Sequence, residues 1–338
     1  MTADATGRSG EAGPHVAVLM PVFNAMPYLP AAVNSILGQS WHDLTLFALD
    51  DGSTDGSLEY LRAHPDPRVS VVADGRHRGM GAQLNLGIAL ADGPLIARMD
   101  ADDLCPADRF AQQIAAFQAD SGLTALGTQF QYFGQGGSQG FARTLPLDNG
   151  SIHRSLRRGV LAVIHASLMI RTEALRSIGG YRFNGIGEDW DMFLRLAETG
   201  RFANLPSLGY LYRLHPSNAT TLHQRLTQRR IRFACACAEA RRQGQPEPAE
   251  ADWLAALDAR PRHRRWAEAA DGFSVAQYYS GRNLVLNGRP LRGYSHLALG
   301  MLASPRRTVG RALNALARPA SPSKRSAATA RSATATQG

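Results

Sequence analysis

Short apolar runs alternate with segments of helical spacing through the first hundred residues, and this alternation constrains the fold more than any other feature of the chain. Continuous short apolar runs are typical of strands buried on both faces of a parallel sheet. Strand–helix–strand units require right-handed crossovers, so the pattern predicts an α/β fold with a mostly parallel sheet flanked by helices. The predicted strands are Val16–Val22, Leu44–Leu49, Val69–Val72 and Leu95–Met99, and the helices between them are Tyr28–Leu37, Asp55–Leu61 and Met80–Leu90.

Polar side chains follow three of these four strands at the point where each apolar run ends. Asn24 follows the first strand, Asp50 and Asp51 end the second, and an acidic segment from Asp100 to Asp103 follows the fourth. Ligands of open parallel sheets bind beyond the carboxyl ends of the strands. The sequence therefore predicts that these groups lie at one edge of the sheet and form a ligand site.

Asp100 and Asp102 fall on one side of an extended segment, because side chains two residues apart point to the same face. Their oxygens suit a hard divalent ion such as Mg²⁺ or Mn²⁺, and Mg²⁺ usually completes its shell with substrate phosphates. This interpretation predicts a phosphate-bearing donor. In the alternative interpretation, Asp102, Asp103 and Asp108 shape a turn and cap the next helix without a ligand.

The acidic segment that ends the second strand also has two interpretations. Ser53 and Thr54 are typical caps of a following helix. Capping does not explain two adjacent acids at the end of an apolar strand, where a carboxylate can accept hydrogen bonds from a ribose or a nucleobase. Because Asp50 and Asp51 point to opposite sides, we expect at most one of them to face the ligand.

Two later segments add further candidates. Glu188 and Asp189 begin a predicted helix, where the helix dipole favours acids by about 0.3–1 kcal/mol and keeps Asp189 ionised as a weak base. Arg213 and His215 lie two residues apart and can reach a diphosphate or its metal from one side of an extended segment. The alternatives are a purely structural helix terminus for the acids and a surface loop for Arg213 and His215.

The pattern is less regular after the first hundred residues. The run Val163–Ile170 predicts a strand in which His165 is a core histidine, and the chain from about Thr221 to Ala303 has mostly helical spacing. Residues 304–338 have few large apolar side chains, which is typical of disorder. We therefore expect a disordered N-terminus (1–13), an α/β domain (14–222), a helical C-terminal extension (223–303) and a disordered basic tail (304–338).

The chain has 37 Lys and Arg against 28 Asp and Glu, and the excess of +9 is concentrated at the C-terminus. From Ser304 onward there are seven basic residues and no acids, which leaves 30 basic against 28 acidic residues elsewhere. A nearly neutral body does not indicate a nucleic-acid partner. The tail is suited to peripheral contact with an anionic membrane surface, where each basic residue adds about 1 kcal/mol. These residues are Arg306, Arg307, Arg311, Arg318, Lys324, Arg325 and Arg331.

Two features predict a cytoplasmic protein, with the tail at the inner face of the membrane. The longest apolar stretch, from about Val160 to Ile170, is interrupted by His165 and is too short to cross a bilayer. The segment from Met1 to Pro14 lacks the apolar core of a signal peptide.

Several segments, taken in order, resemble the family-two glycosyltransferases of the GT-A fold. Pro21-Val-Phe-Asn24 resembles the family's first-strand signature, and Leu49–Asp55 resembles its nucleotide segment almost letter for letter. Met99–Asp103 resembles its Asp-x-Asp metal motif. The resemblance covers about residues 14–220, and the ordered set is far more specific than any single motif. The other matching segments are Arg78-Gly79, Asn85-Leu-Gly87, Ala91-Asp-Gly93, Gly179-Gly180-Tyr181, Gly187–Asp191 and Tyr212–His215.

This resemblance implies an enzyme that moves a sugar from a nucleotide diphosphate-sugar to a hydroxyl group, generally with inversion at the anomeric carbon. It implies Mn²⁺ or Mg²⁺ as cofactor, a UDP-sugar as donor, and a saccharide or lipid-linked acceptor. The expected setting is bacterial polysaccharide, cell-envelope or glycoconjugate biosynthesis.

The resemblance also implies roles for single residues. Asp189 is the expected general base and Glu188 assists the acceptor. Asp51, or Asp50, holds the uridine or the ribose. The expected nucleotide-sugar-binding residues are Pro21, Asn24, Asp50, Asp51, Arg78, Asp100 and Arg213, and the expected metal-binding residues are Asp102, Asp100 and His215.

Two departures from the family's pattern concern the nucleotide side. His77 stands where the family often has Asn before Arg-Gly, and Leu84 stands where it often has Arg before Asn, so the donor is not identified by the motifs. The Gln-x-x-Arg-Trp motif of processive synthases does not follow residue 191, so transfer of a single sugar is expected.

Three other functions stay open at this stage, one of which is a membrane or nucleic-acid adaptor that acts through the basic tail. A nucleotidyltransferase also uses a parallel sheet and a divalent metal, but it usually has a basic glycine-rich loop after the first strand, where Met20–Pro27 offers no Lys or Arg. A non-catalytic relative that binds a nucleotide-sugar is the third, and the intact Asp100, Asp102 and Asp189 argue against it.

Overall fold

The computed structural model describes residues 13–134, 139–183, 187–215 and 224–305. The strands are β1 (Val16–Val22), β2 (Leu44–Asp50), β3 (Val69–Val72), β4 (Leu95–Arg98), β5 (Leu123–Phe133), β6 (Gln139–Arg143), β7 (Met169–Arg171) and β8 (Arg201–Arg213). The helices of the first two hundred residues are α1 (Leu29–Leu37), α2 (Ser57–Arg62), α3 (Met80–Leu90), α4 (Arg109–Ala119), α5 (Asn149–Arg157), α6 (Thr172–Ser177) and α7 (Glu188–Thr199). The C-terminal helices are α8 (Gln224–Arg242), α9 (Glu250–Asp258), α10 (Arg262–Leu286) and α11 (Pro290–Ala303).

The first four strands form the parallel part of the sheet in the order β3-β2-β1-β4. Val18 of β1 pairs with Leu46 of β2 and with Ala97 of β4. Alternate side chains of β1 enter two different cores, as the strand period of two requires. Val16 and Val18 belong to one core, and Ala17 and Leu19 belong to the other. The sequence prediction of a helix-flanked parallel sheet is confirmed for this part of the chain.

The second part of the sheet is mixed. β7 pairs antiparallel with β4 and β5, β6 pairs antiparallel with β5, and β8 runs parallel to β5. The predicted strand Val163–Ile170 is wrong, because a 3-10 helix occupies His165–Ser167 and β7 begins only at Met169. Ser167 N and Ser167 Oγ both donate to Ile164 O, at 3.0 and 2.9 Å, and close this turn.

β8 is a long strand that the apolar pattern of the sequence does not predict. It contains Pro206 and Gly209, which lower strand propensity, and its pairing with β5 shifts register beside Gln129. Tyr210 is fully buried and packs in the same core as Val16 and Val18 of β1. The strand matters for the site because its end, Arg213, returns to the edge where β4 ends.

The C-terminal helices follow the sheet, and the prediction of mostly helical structure from about Thr221 to Ala303 is confirmed for residues 224–303. α8 lies against α7, and α10 and α11 pack together as a hairpin. Among the described residues, none of the helices is long and apolar enough to cross a membrane. The predicted disordered ends, 1–13 and 304–338, lie outside the described residues except for positions 13, 304 and 305. The domain boundary at residue 222 stays a prediction.

Candidate active site

The carboxyl ends of β1, β2 and β4 meet at one edge of the sheet, where Pro21 and Asn24 are at least partly exposed. The side-chain oxygen of Asn24 accepts a hydrogen bond from Thr54 N at 2.8 Å, and Asn24 N donates to Ser53 Oγ at 3.1 Å. These bonds join the segments that follow β1 and β2 at this edge of the sheet, which we call the rim. The interpretation of Ser53 and Thr54 as helix caps is wrong, because α2 begins after Gly56 and they contact Asn24 instead.

Asp50 and Asp51 are both buried, and both hold backbone amide groups. Asp50 Oδ2 accepts a hydrogen bond from Gly52 N at 3.0 Å. Asp51 Oδ1 accepts hydrogen bonds from Arg78 N at 2.6 Å and from Gln83 Nε2 at 3.0 Å. Asp51 therefore connects the end of β2 to the start of α3, and a role for either acid in nucleotide binding stays a prediction.

Close packing of α3 on the sheet brings Arg78 to this edge. A Cβ atom at Gly87 would lie 2.8 Å from Leu19 Cδ2 and 2.9 Å from Leu49 Cδ1, so a larger residue would push the helix away from β1 and β2. Arg78 precedes the helix, and its exposed guanidinium pairs with Asp74. The structure thus places the predicted nucleotide-binding arginine at the rim of the site.

Three acids at the end of β4 bring one carboxylate oxygen each to within 4.8 Å of one another: Asp100, Asp102 and Asp103. Asp103 is buried, and both its oxygens are used by β8. Its Oδ2 accepts a hydrogen bond from the Tyr210 hydroxyl at 2.5 Å, and its Oδ1 accepts one from Arg213 N at 2.6 Å. Asp100 and Asp102 are partly exposed and face the rim. A carboxylate cluster is the donor set that hard divalent ions prefer, so these residues fit Mn²⁺ or Mg²⁺.

Arg213 and His215 both contact Asp102. Arg213 Nε donates to Asp102 O at 2.6 Å, and His215 Nε2 lies 2.8 Å from Asp102 Oδ2. The His215 ring packs on Tyr28 with ring centroids 4.8 Å apart, and the Arg213 guanidinium lies 4.4 Å from the centroid of Phe133. Both side chains are buried, so the alternative of a surface loop is wrong for these two residues. A direct metal bond from His215 stays a prediction.

Glu188 and Asp189 lie in the first turn of α7. Burial raises the pKa of Asp189 to about 6 and that of Glu188 to about 8, and each carboxyl is also affected by Arg98 and Asp100. The Asp100 carboxylate raises both pKa values, and the Arg98 guanidinium lowers them. The expectation of a weak base is corrected, because burial outweighs the helix dipole. Near neutral pH, Asp189 is mostly ionised and basic enough for proton transfer.

Comparison with known proteins identifies the chain. Residues 17–179 match the sequence profile of glycosyl transferase family 2. The putative glycosyltransferase EpsE of Bacillus subtilis is 33% identical over 198 residues, which are 56% of this chain and 68% of that protein. The chain belongs to glycosyl transferase family 2. The succinoglycan biosynthesis protein ExoO of Rhizobium meliloti is 29% identical over 215 residues, or 60% of this chain and 61% of that protein.

Solved structures have the same fold as this family-2 chain. S. aureus TarS (residues 1–349), in complex with UDP-GlcNAc, superimposes with a TM-score of 0.57 at 14% identity, over 89% of this chain and 92% of that one. The mannosyltransferase PcManGT of Pyrobaculum calidifontis, in complex with GDP-Man and Mn²⁺, gives a TM-score of 0.50 at 19% identity, over 85% and 88%. The fold is therefore the GT-A fold, and the chain is a glycosyltransferase.

The family-2 site of this chain contains a buried cation that sequence analysis missed. Arg98, the last residue of β4, is 3% exposed and forms an ion pair with Asp100. Burial by itself lowers the pKa of Arg98, but the Asp100 carboxylate outweighs this effect and raises it. The same guanidinium lowers the pKa values of Glu188 and Asp189. An arginine inside an apolar strand could have indicated this ion pair from the sequence, since charged residues are almost never fully buried unless they are paired.

The structure also explains why two distant family-2 motifs occur together. Asn85 Nδ2 donates to Tyr181 O, and Tyr181 N donates to Asn85 Oδ1, both at 2.8 Å. Gly180 has a φ of +64°, and a Cβ there would lie 2.3 Å from Asn85 Oδ1, so the contact depends on glycine. The Tyr181 hydroxyl lies 2.6 Å from His165 Nε2. His165 is thus a partly buried, hydrogen-bonded histidine, in agreement with the predicted satisfied histidine, and burial lowers its pKa.

Proposed function

We propose that this glycosyltransferase transfers a single sugar, with inversion and with the help of Mn²⁺ or Mg²⁺, from a nucleotide diphosphate-sugar to a hydroxyl group. One observation carries the proposal. Asp100, Asp102 and Asp103 bring one carboxylate oxygen each to within 4.8 Å of one another at the end of β4, which is a donor set for a hard divalent ion and its phosphates. The buried Asp189 of α7, whose pKa is raised to about 6, supports the role of a general base.

Different residues of the chain hold the metal ion and accept the proton in the proposed reaction. Asp102 and Asp100 are the residues that would hold the divalent ion, which stabilises negative charge on the departing diphosphate as a Lewis acid. Asp189 accepts the proton of the acceptor hydroxyl. The acceptor oxygen forms a bond to the anomeric carbon, the bond from that carbon to the phosphate oxygen breaks, and its electron pair leaves with the nucleoside diphosphate. Attack from the side opposite the leaving group inverts the anomeric centre.

Arg98 and Glu188 support this reaction in our proposal. The Arg98 guanidinium pairs with Asp100 and opposes the rise that burial causes in the pKa values of Asp100 and Asp189. Glu188, with a pKa of about 8, is mostly protonated at pH 7 and can donate a hydrogen bond to the acceptor. Two neighbouring carboxyls thus have different roles, because their environments separate their pKa values.

We further propose a UDP-sugar as the donor, held by the rim formed by Pro21, Asn24, Asp51 and Arg78. The fold shared with TarS, whose structure contains UDP-GlcNAc, supports this choice. The acceptor we propose is a saccharide or a lipid-linked hydroxyl in polysaccharide, cell-envelope or glycoconjugate biosynthesis. The similarity to a succinoglycan biosynthesis protein supports this setting. We place the reaction in the cytoplasm, with peripheral contact of the basic tail at the inner face of the membrane.

The test is release of nucleoside diphosphate from a panel of UDP-, GDP- and dTDP-sugars, with Mn²⁺ or with EDTA. The Asp102→Ala variant tests the metal site, and Asp108→Ala is its matched control, because Asp108 is an exposed acid six residues away, at the start of α4. We expect metal-dependent release from one donor in the wild type and in Asp108→Ala, and none in Asp102→Ala. Release that persists in EDTA contradicts the metal role, and release of sugar 1-phosphate instead of nucleoside diphosphate indicates a nucleotidyltransferase.

A calorimetric titration with the same donors separates catalysis from binding. We expect Asp189→Asn to bind the donor as the wild type does and to lose transfer. A wild type that binds a nucleotide-sugar but releases no product, even with a panel of saccharide acceptors, would indicate a non-catalytic binding protein.

A further inference from the structure

The outer face of the α10–α11 hairpin exposes large apolar side chains. Leu291 is 87% exposed and Leu302 is 77% exposed, and both lie on α11 with Tyr294 between them. Their spacing of three and eight residues puts them on one side of the helix. On α10, Trp266 is 77% exposed and lines a separate surface depression of the hairpin together with Phe273.

The opposite face of α11 is held against α10, so the apolar side chains cannot turn inward. A Cβ atom at Gly293 would lie 2.6 Å from Gly281 O, and one at Gly300 would lie 3.0 Å from Ser274 O. The two helices therefore pack at backbone distance along these glycines. The exposed face is therefore a fixed feature of the fold, and clustered exposed apolar side chains often mark interaction sites.

The charge of the hairpin is positive. Five arginines of the hairpin and its turn are exposed. The two acids of the hairpin are both engaged within the protein: Glu268 pairs with Arg229 at 3.0 Å, and Asp271 accepts a hydrogen bond from Ser304 at 2.7 Å. A symmetric dimer through this face would bring like charges together, whereas an anionic surface complements them. The arginines are Arg262, Arg264, Arg265, Arg289 and Arg292.

The hairpin is connected directly to the candidate active site. Asn287, which follows α10, donates from its side chain to Leu214 O at 3.2 Å, next to His215. Arg282 of α10 lies over the ring of Tyr132 in β5, 4.8 Å from its centroid. Whatever binds the outer face is therefore held at a fixed position relative to the sheet edge that carries the acidic cluster.

We propose that the outer face of the α10–α11 hairpin docks on an anionic lipid bilayer. The apolar side chains enter the boundary between headgroups and acyl chains, and the arginines contact the lipid phosphates, as in other interfacial helices. This surface is separate from the basic tail, and docking does not depend on the proposed transferase reaction.

The test is co-sedimentation of the full-length chain with vesicles of phosphatidylcholine mixed with phosphatidylglycerol, or of phosphatidylcholine alone. We expect binding to the mixed vesicles that weakens with salt, and much weaker binding to the neutral ones. The double variant Leu291→Ser/Leu302→Ser should bind at least about tenfold less, because two side chains no longer enter the apolar boundary. Leu90→Ser is the matched control, since Leu90 is an exposed leucine on α3, a helix that packs on β1 and β2.

A second measurement reports on the hairpin itself. Trp266 is the only exposed tryptophan among the four of the chain, all of which lie in the described residues. Vesicles with brominated acyl chains should quench its fluorescence, and Trp266→Phe should remove that quenching. The Asp102→Ala variant should dock like the wild type, which separates this proposal from the proposed function.

Three results would overturn the proposal. One is wild-type vesicle binding by Leu291→Ser/Leu302→Ser. Another is complete loss of binding when only the seven basic residues of the tail are changed to Gln in the full-length chain. The third is a dimer in light scattering that the leucine variant dissociates, without vesicle binding by the wild type, which would assign the face to a second copy of the chain.

Discussion

Replacing Glu188 by Gln should stabilise the protein at neutral pH, and the gain should grow with pH. Glu188 is 6% exposed, and burial raises its pKa from an ordinary 4.5 to about 8. A carboxyl whose pKa is raised by folding contributes stability that is fully present below the unfolded pKa and is lost as pH rises through the folded pKa. Gln has nearly the shape of the protonated acid and does not titrate, so Glu188→Gln removes this loss.

The size of the effect follows from the two pKa values. Between pH 4.5 and pH 7 the wild type loses about 1.4 kcal/mol per pH unit from this group, or about 3 kcal/mol in all. Above pH 8 the loss levels off at about 5 kcal/mol. The gain in Glu188→Gln should therefore be negligible near pH 4.5 and largest above pH 8.

Urea denaturation at pH 5, 6, 7 and 8 in EDTA, followed by circular dichroism, measures this difference in the free energy of unfolding. Glu198→Gln is the matched control, because Glu198 lies at the other end of the same helix, is 44% exposed and pairs with Arg241. Its effect should be small at every pH in this range. A gain in Glu188→Gln that is the same at pH 5 and pH 8 would refute the argument, since it would not come from titration of Glu188.

Three further predictions concern the acids of the site. Asp189→Asn should lower transfer by about 10²–10⁴-fold with unchanged donor affinity, measured by product formation and calorimetry; a loss of affinity equal to the loss of rate would contradict a base role. In the wild type, kcat/KM for the acceptor should fall about tenfold per pH unit below pH 6, because protonated Asp189 cannot accept a proton; a flat profile down to pH 5 would exclude it. Asp103→Ala should lower the free energy of unfolding by about 1–3 kcal/mol, since it removes the acceptor of Arg213 N and leaves the Tyr210 hydroxyl with only its 3.5 Å contact to Asp100; urea denaturation that matches the wild type would contradict this role.

Local patterns predicted the first half of the fold well. The buried strands β1 to β4 are continuous apolar runs, and the helices between them follow at short distances, so each element is visible within its own segment. The acidic ends of β2 and β4 follow from the same pattern, because parallel strands end at a common edge. The position of Asp100, Asp102 and Asp51 at this edge was therefore predictable from the sequence alone.

The second half could not be predicted in the same way. The run Val163–Ile170 is apolar because it is buried, but a side-chain hydrogen bond from Ser167 closes it into a turn. β8 contains Pro206 and Gly209 and is held by pairing with a strand about eighty positions earlier in the chain. Such non-local pairing leaves little trace in a single segment.

By itself, then, the sequence determined which acids stand at the ends of which strands, because strand periodicity and strand ends are properties of short segments. Only the tertiary structure determined how those acids differ in hydrogen bonding, burial and pKa. Asp103 accepts hydrogen bonds from β8, and Asp102 contacts His215, which follows the same strand. Burial raises the pKa values of Glu188 and Asp189, and Arg98 opposes that rise, because charges interact through space rather than along the chain.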